Sequence, residues 1–446
     1  MSNQVPEPHC GTAGTETSST TTVTEKQDLE GASAPKSHAP AQWGADVPDG
    51  GRQAWLVVFG AWCTAFCSFG WINSVGTFQN YYEATLLKQY SASEISWIPS
   101  LQIFFLFVMG PVVGKIYDSY GPRYLLIVGS FLHVFGLMMA SISTTYYQLL
   151  LSQGICSAIG VACIFQPAMT CVGGWFNKNR GAAYGTLSSG SSIGGVVFPI
   201  MVSRLIQEVG YGWAMRISAF LILFLLILAN LTVRSLHKPS PQILTKADLL
   251  KPFHEIGMLA VIGGNCLITF GLFIPITYLV VEAISLGMSP SLAQYLLAML
   301  NAASLFGRIF SGIISDKIGR YNVFVIVCTC TGALVLALWI PVSNNAGTIM
   351  FAILFGFFSG AYVSLGPALI AQISPPREIG FRTGLLFLFA SVPGLTNGPI
   401  AGAILASENG SYTGMKIFSG IMVLVGTSCV LIARIYQTGW KLRAKF

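Results

Sequence analysis

Gly114-Lys115-Ile116-Tyr117-Asp118-Ser119-Tyr120-Gly121-Pro122-Arg123 is one of two stretches that decide how this chain folds; the other is Gly312-Ile313-Ile314-Ser315-Asp316-Lys317-Ile318-Gly319-Arg320. Each joins a long apolar run to the next. Asp118 and Asp316 lie 198 residues apart, and nearly the same offset separates Pro167 from Pro367, Gly185 from Gly384, and Pro199-Ile200 from Pro399-Ile400. A single pair means little, but an ordered series of them reads as duplication: two halves, each placing the same turn after its second apolar run. Two such halves, related by an axis along the membrane normal, can expose a central site to either side in turn by rocking. In each turn Gly permits close helix approach, and the Asp is expected to cap the next helix or pair with the basic residue. Gly114, Asp118, Gly121, Arg123, Asp316, Gly319 and Arg320 are therefore the candidate gating residues. The alternative is a loop staple with no part in gating.

Composition fixes the solvent. Of 446 residues, 53% are hydrophobic and only 9% charged, with 48 Gly, whereas soluble domains carry about 25% charged residues. That leaves lipid. Past a polar stretch over 1–50, the remainder has room for about twelve spans of ~20 residues. Apolar runs bounded by charges and turn residues place them at 55–78, 95–113, 124–142, 147–171, 183–205, 217–233, 256–281, 291–314, 323–342, 348–373, 383–405 and 413–435. The expected fold is an all-α polytopic membrane protein of twelve transmembrane helices in two six-helix pseudo-symmetric bundles. The bundles occupy 51–235 and 255–437, joined by a cytoplasmic loop over 236–254 and followed by a cytoplasmic tail over 438–446. The first 50 residues read as a disordered cytoplasmic tail, since nine of the thirteen from Thr12 to Thr24 are Ser or Thr and such a segment cannot bury enough apolar surface to order itself. No apolar run follows a basic start, so the first span is expected to serve as its own insertion signal.

The net charge of +7 does not indicate nucleic acid, because Lys and Arg come in ones and twos between apolar runs. They sort by side instead. With the N-terminus and every even-to-odd loop on one face, nineteen basic residues fall there; only Lys88, Arg204, Arg216 and Lys416 fall on the other, and Arg308 lies inside a span. The positive-inside rule then puts both termini in the cytoplasm, with the plasma membrane the expected residence. The sequon Asn409-Gly410-Ser411 comes out on the external side, making Asn409 the glycosylation candidate. Nine of ten Cys sit in or beside apolar segments and read as packing residues, with no metal or cofactor implied.

An ionised side chain inside a span costs several kcal/mol, so it usually faces a cavity or a partner. Arg308 is the clearest case, and Gln294, Asn301 and Arg308 recur every seven residues with Ser304 near the same stripe. That face is expected to line a central chamber, with Arg308 either holding an anionic group or bonding backbone carbonyls as part of an inner gate. Asn301, Asn73, Trp71, Gln166 and Tyr278 complete the candidate solute site, polar groups among aromatic walls. Gln102, Phe104 and Phe165 are further polar or wall positions, and His133 reads as packed. Among acidic residues only Glu282 is a candidate for lying inside a span, at the outer end of the seventh, so a titrating group for proton coupling would be Glu282, His133, Asp118, Asp316 or the solute itself.

The two turns resemble the G-x-x-x-D-x-x-G-x-[RK] loop of the major facilitator superfamily over about residues 50–440. Within it the chain is similar to monocarboxylate-porter-like proteins of the fungal branch. Asp49-Gly50-Gly51-Arg52-Gln53-Ala54-Trp55 matches the acidic-Gly-Gly stretch before that group's first span. Trp175-Phe176-Asn177-Lys178-Asn179-Arg180-Gly181-Ala182-Ala183-Tyr184-Gly185 matches the signature leading into its fifth. The resemblance implies transport of a small-molecule organic solute across a lipid bilayer, with protons a candidate co-substrate. Two positions depart from the proton-coupled members: Asn73 stands where they carry Lys, and Ser304 where they carry Asp. The expected function is secondary transport of a hydrophobic or weakly anionic metabolite by alternating access, with efflux of a secondary metabolite ahead of uptake of a monocarboxylate or vitamin-like nutrient. A non-transporting solute sensor is the reading from another class. Enzyme chemistry is not expected: there is no G-x-x-x-x-G-K-[ST] loop, and four of five His lie outside the spans.

Overall fold

A bilayer offers no water to backbone N–H and C=O groups, so apolar runs close their hydrogen bonds internally as helices. The computed structural model describes residues 47–236, 246–441 and 444–446. The Ser/Thr-rich arm through residue 46, the linker over 237–245 and residues 442–443 lie outside the described residues, and with them the expectations made for the arm and for most of the connecting loop. Among the described residues, eleven helices are long and apolar enough to cross a membrane. The longest, Arg180–Thr232, is 53 residues and breaks at Gly210, where φ is 81°, so it supplies two spans and the total is twelve.

They are α1 (Arg52–Gly70), α2 (Ser93–Tyr120), α3 (Pro122–Ala140), α4 (Tyr146–Trp175), α5 (180–209), α6 (211–232), α7 (Ile256–Ser285), α8 (Pro290–Ile318), α9 (Arg320–Trp339), α10 (Asn345–Ile373), α11 (Ile379–Ser407) and α12 (Thr413–Thr438). Buried apolar side chains form two clusters, one drawn from α1–α6 and one from α7–α12. Ala368, Ala371, Ile379, Phe387 and Ala390 of the second half belong to the first half's cluster, so the halves interdigitate there. Large apolar side chains such as Phe131, Phe224, Phe306 and Phe310 are exposed on the outside, as a lipid-facing surface requires.

Three local features differ from the expected spans. The polar residues around Gln207 and Glu208 do not form a loop; they continue α5, and Gly210 alone turns the chain because only glycine adopts that φ without strain. The repeated motifs are not loops either. Gly114–Tyr120 and Gly312–Ile318 are the last turns of α2 and α8, and only Gly121 (φ 79°) and Gly319 (φ 105°) leave the helix. Finally, the first span is discontinuous: residues 73–74 form a turn before the short helix Val75–Tyr81. A break at that depth is tolerated where it is buried in protein or lines a cavity.

Candidate functional site

Both described ends of the chain lie at one end of the bundle, with Arg52, Lys115, Arg123, Lys178, Arg180, Lys251, Lys317, Arg320, Arg377, Arg382 and Arg434. At this basic end the duplicated aspartates do something that local sequence does not show. Asp118 accepts from the backbone N–H groups of Gly380 (2.9 Å) and Phe381 (2.8 Å), at the start of α11. Asp316 accepts from Gly181 (2.9 Å) and Ala182 (2.8 Å), at the start of α5. A helix N-terminus presents unsatisfied donors and a positive dipole end, so a carboxylate there forms charge-assisted bonds. The expectation of a cap on the next helix is thus corrected: each Asp caps a helix of the opposite half.

Glycine makes the approach possible. A Cβ on Gly380 would meet the Gly114 carbonyl oxygen at 2.6 Å, and one on Gly181 the Gly312 carbonyl oxygen at 2.5 Å. The two motifs diverge at the basic residue. Arg320 bonds Asp316 (3.1 Å) and donates to the Asn177 carbonyl of the first half at 2.5 Å. Arg123 is exposed and has no ion pair among the described residues. Pro122 causes the difference, because it moves the Arg one position along its helix and swings it by about 100° from the carboxylate.

Deeper in the bundle, Arg308 on α8 also reaches across. Its Nη1 donates to the Ser188 carbonyl (2.6 Å) and to the Ser191 hydroxyl of α5, while Nε donates to Ser304 Oγ (3.1 Å). The guanidinium thus bonds a backbone carbonyl and a hydroxyl of the opposite half. Nη2 has no acceptor among the described residues and is not sealed from solvent. One to two turns on, Asn301 Nδ2 donates to Asn73 Oδ1 (3.3 Å), and Asn73, at the break in the first span, donates to the Phe69 carbonyl (2.6 Å). Gly195 of α5 sits against both amides, 2.9 Å and 3.0 Å from where a Cβ would stand. Arg308, Asn301 and Asn73 therefore share one inter-half seam.

Other candidates lie elsewhere. Trp71 is 1% exposed and packs on Phe78 and Phe198 inside the first half, so it is a packing residue and not a chamber wall. Tyr278 donates to the Gly398 carbonyl (3.3 Å) within the second half. Gln166 donates to the Leu106 carbonyl (3.1 Å) and is buried between α4 and α2. His133 is held at both ring nitrogens by Ser157 and the Cys67 carbonyl. Glu282 forms a buried ion pair with Lys416. The Lys416 ammonium donates to the Trp339 carbonyl (2.9 Å) and lies 5.2 Å from that ring's centroid, within the span expected at 413–435. Asn409 is exposed in the turn between α11 and α12, at φ 52°.

Two functional contacts escaped the sequence reading. Ser188 and Ser191, the acceptors for Arg308, carried a usable signal in the run Ser188-Ser189-Gly190-Ser191-Ser192 inside an apolar span. Asp49 was read only as part of the acidic-Gly-Gly stretch; its carboxylate accepts from the N–H groups of Asn177 and Lys178, both at 2.6 Å, and so joins the two stretches that carry the resemblance.

A family profile described as Major Facilitator Superfamily matches residues 55–281 and 261–445. The "MFS transporter asaE" of Aspergillus flavus is 63% identical over 413 residues, covering 92% of this chain and 93% of that protein. The "Fujikurins efflux protein" of Gibberella fujikuroi is 53% identical over 400 residues, covering 90% and 86%. Among solved structures, the Escherichia coli fucose:proton symporter FucP superposes with a TM-score of 0.67 at 15% identity, covering 86% of this chain and 99% of that one, a likeness of fold.

Proposed function

The chain belongs to the Major Facilitator Superfamily, is a membrane transporter and not an enzyme, and from that premise we propose that it exports a small secondary metabolite, hydrophobic or weakly anionic, across a fungal plasma membrane. Efflux is the activity named for the relative that handles fujikurins. The observation that carries the mechanism is the pair of aspartate locks: both halves are tied at the basic end by the same chemistry. By the positive-inside rule that end is cytoplasmic, so the state described is closed toward the cytoplasm.

Alternating access follows from these contacts. Releasing Asp118 and Asp316 from the opposing helix ends lets the basic end open, and a solute entering there meets Arg308, Asn301 and Asn73. Arg308 would exchange its Ser188 and Ser191 acceptors for an oxygen of the solute, which makes solute binding and inter-half contact mutually exclusive on one guanidinium. The carboxylates at the moving interface are Asp118 and Asp316, whereas Glu282 is paired and His133 sealed, so proton coupling would act at the two locks. Membership of the monocarboxylate-porter-like branch is supported by the contact between its two quoted stretches, Asp49 with residues 177–179.

The test is an untargeted comparison of metabolites inside and outside fungal cells with and without the gene. Export requires at least one compound to fall outside and rise inside on deletion; the reverse change would establish uptake, and an unchanged profile would remove the proposal. Purified protein with saturable binding but no liposome flux would mark a sensor.

A further inference from the structure

We propose that Phe69, Phe107, Phe165 and Phe387, together with the amides of Gln102 and Gln166, form a subsite beside the inter-half seam that takes a flat aromatic or conjugated ring bearing a hydrogen-bonding oxygen. The inference rests on the transporter reading and adds the solute class. The four rings come from α1, α2, α4 and α11 and close on one another. Ring centroids are 4.8 Å apart for Phe69–Phe165, 5.8 Å for Phe69–Phe107, 5.7 Å for Phe107–Phe387 and 5.9 Å for Phe165–Phe387. Phe107 and Phe387 are stacked, with planes 9° apart. Offset and edge-on ring geometry at this spacing is the arrangement into which another flat ring can be exchanged with little loss.

Phe387 gives the set its functional sense. It is the one member from the second half, yet it is 8% exposed and belongs to the first half's core. Withdrawal of α11 therefore opens the ring and leaves a slot between Phe107 and Phe165. The slot adjoins the central seam, because the Phe69 carbonyl holds the Asn73 amide that in turn meets Asn301.

The amides supply the second observation. Gln166 follows Phe165 in the chain and donates to the carbonyl of Leu106, which precedes Phe107; Gln102 lies one turn before Leu106 on the same helix. Gln102 is fully buried with both Nε2 and Oε1 unbonded, and Gln166 leaves Oε1 unbonded. Unpaired buried amide atoms are unfavourable, and a leucine of similar size would avoid the penalty. Gln102 and Gln166 stand on the same two helices as Phe107 and Phe165, within about one and a half turns of them, and such a donor with acceptors matches a carbonyl or hydroxyl on a ring.

The test uses full-length protein in nanodiscs with 7-hydroxycoumarin, a flat ring carrying such oxygens, read by saturable fluorescence polarisation beside the thermal unfolding midpoint. The expectation is saturable binding to the native chain and at least tenfold weaker binding to Gln102→Leu/Gln166→Leu, with an unchanged or higher midpoint. Phe387→Ala is expected to weaken binding to a similar extent. If the double variant falls below the native midpoint, Gln102→Met alone replaces it. Unchanged affinity in the glutamine variants, or no saturable binding to the native chain, overturns the subsite. The outcomes remain separable from the transport reading: probe binding with this dependence but no metabolite export sinks transport alone, while native export by the glutamine variants sinks the subsite alone.

Discussion

Replacing Asp118 by Asn removes the charge from one lock while keeping its shape. In the native chain both carboxylate oxygens are engaged, by Gly380 N–H at 2.9 Å and Phe381 N–H at 2.8 Å. Asn keeps one carbonyl oxygen, so one N–H keeps a neutral acceptor and the other faces an amide N–H₂. Hydrogen bonds to charged groups contribute about 1.5–3 kcal/mol each net of water. Losing one such bond should favour the state open at the basic end by roughly tenfold to a hundredfold, since about 1.4 kcal/mol is a factor of ten. Ser315 reports the change: it is 1% exposed and covered by Gly181 of the opposite half. In a Ser315→Cys background, maleimide labelling of that thiol is predicted to accelerate by this factor when Asp118→Asn is added, after subtracting a parent that retains Ser315. Arg123→Gln is the internal control and should leave the rate unchanged. Equal labelling with and without Asp118→Asn would refute the lock.

Further outcomes follow from the same contacts. Arg308→Ala is predicted to abolish solute flux with unchanged membrane abundance, and Arg308→Lys not to restore it, because a single ammonium cannot span the Ser188, Ser191 and Ser304 acceptors as a planar fork does; normal flux from either variant would count against the seam. Gly380→Ala places a Cβ 2.6 Å from the Gly114 oxygen and should slow flux while accelerating Ser315→Cys labelling. Lys416→Met strands Glu282 in the bundle at a cost of about 3–5 kcal/mol, lowering the unfolding midpoint, and adding Glu282→Gln should recover most of it; a midpoint unmoved by the single change would show that the pair is not buried in the membrane-embedded protein. Asp316→Asn is predicted to accelerate labelling less than Asp118→Asn, measured in the same background.

The fold was legible because lipid removes most alternatives: runs of about twenty apolar residues have one backbone solution, and a repeated Gly-x-x-x-Asp announces two halves. Arg308 stood out for the same reason, since a charge in that solvent needs a partner. The partners were not legible. Asp118 binds backbone N–H groups 262 and 263 residues away, and any residue other than proline carries an N–H, so no side-chain pattern marks the acceptor's target. Trp71 looked like a chamber wall through its closeness to Asn73, but the turn at 73–74 rotates the chain there, turning the indole into the first half's core. Lys416 was legible as one of four basic residues on the other face, inside the span expected at 413–435, but not as half of an ion pair. Its hidden counterpart, Glu282, lies on another helix, and only tertiary packing sets the two against Trp339.

The locks are chemically equal and mechanically unequal, and the inequality bears on how the basic end parts. Around Asp316 the halves are also tied by Arg320 to the Asn177 carbonyl, by Arg180 to the Ala371 carbonyl at 3.2 Å, and farther in by Arg308 and Asn301. Around Asp118 the contacts across the seam include glycine faces and the Phe107–Phe387 stack, while the nearby Arg382 spends its guanidinium inside its own half on Glu255 and Glu378. Charged groups that bond carbonyls across a seam resist separation over a short, directional range, whereas stacked rings and glycine faces slide with little loss until they part. The α2–α11 seam is therefore the first to part, and the α5–α8 seam, which covers Ser315, parts after it. A solute entering past Asp118 would then meet the Phe387 ring at about the depth of Arg308, so the wall on the α2–α11 side is apolar. That wall favours a hydrophobic ring with a polar edge over a small hydrophilic acid, which agrees with Asn73 and Ser304 standing where proton-coupled acid carriers of the resembling branch place Lys and Asp.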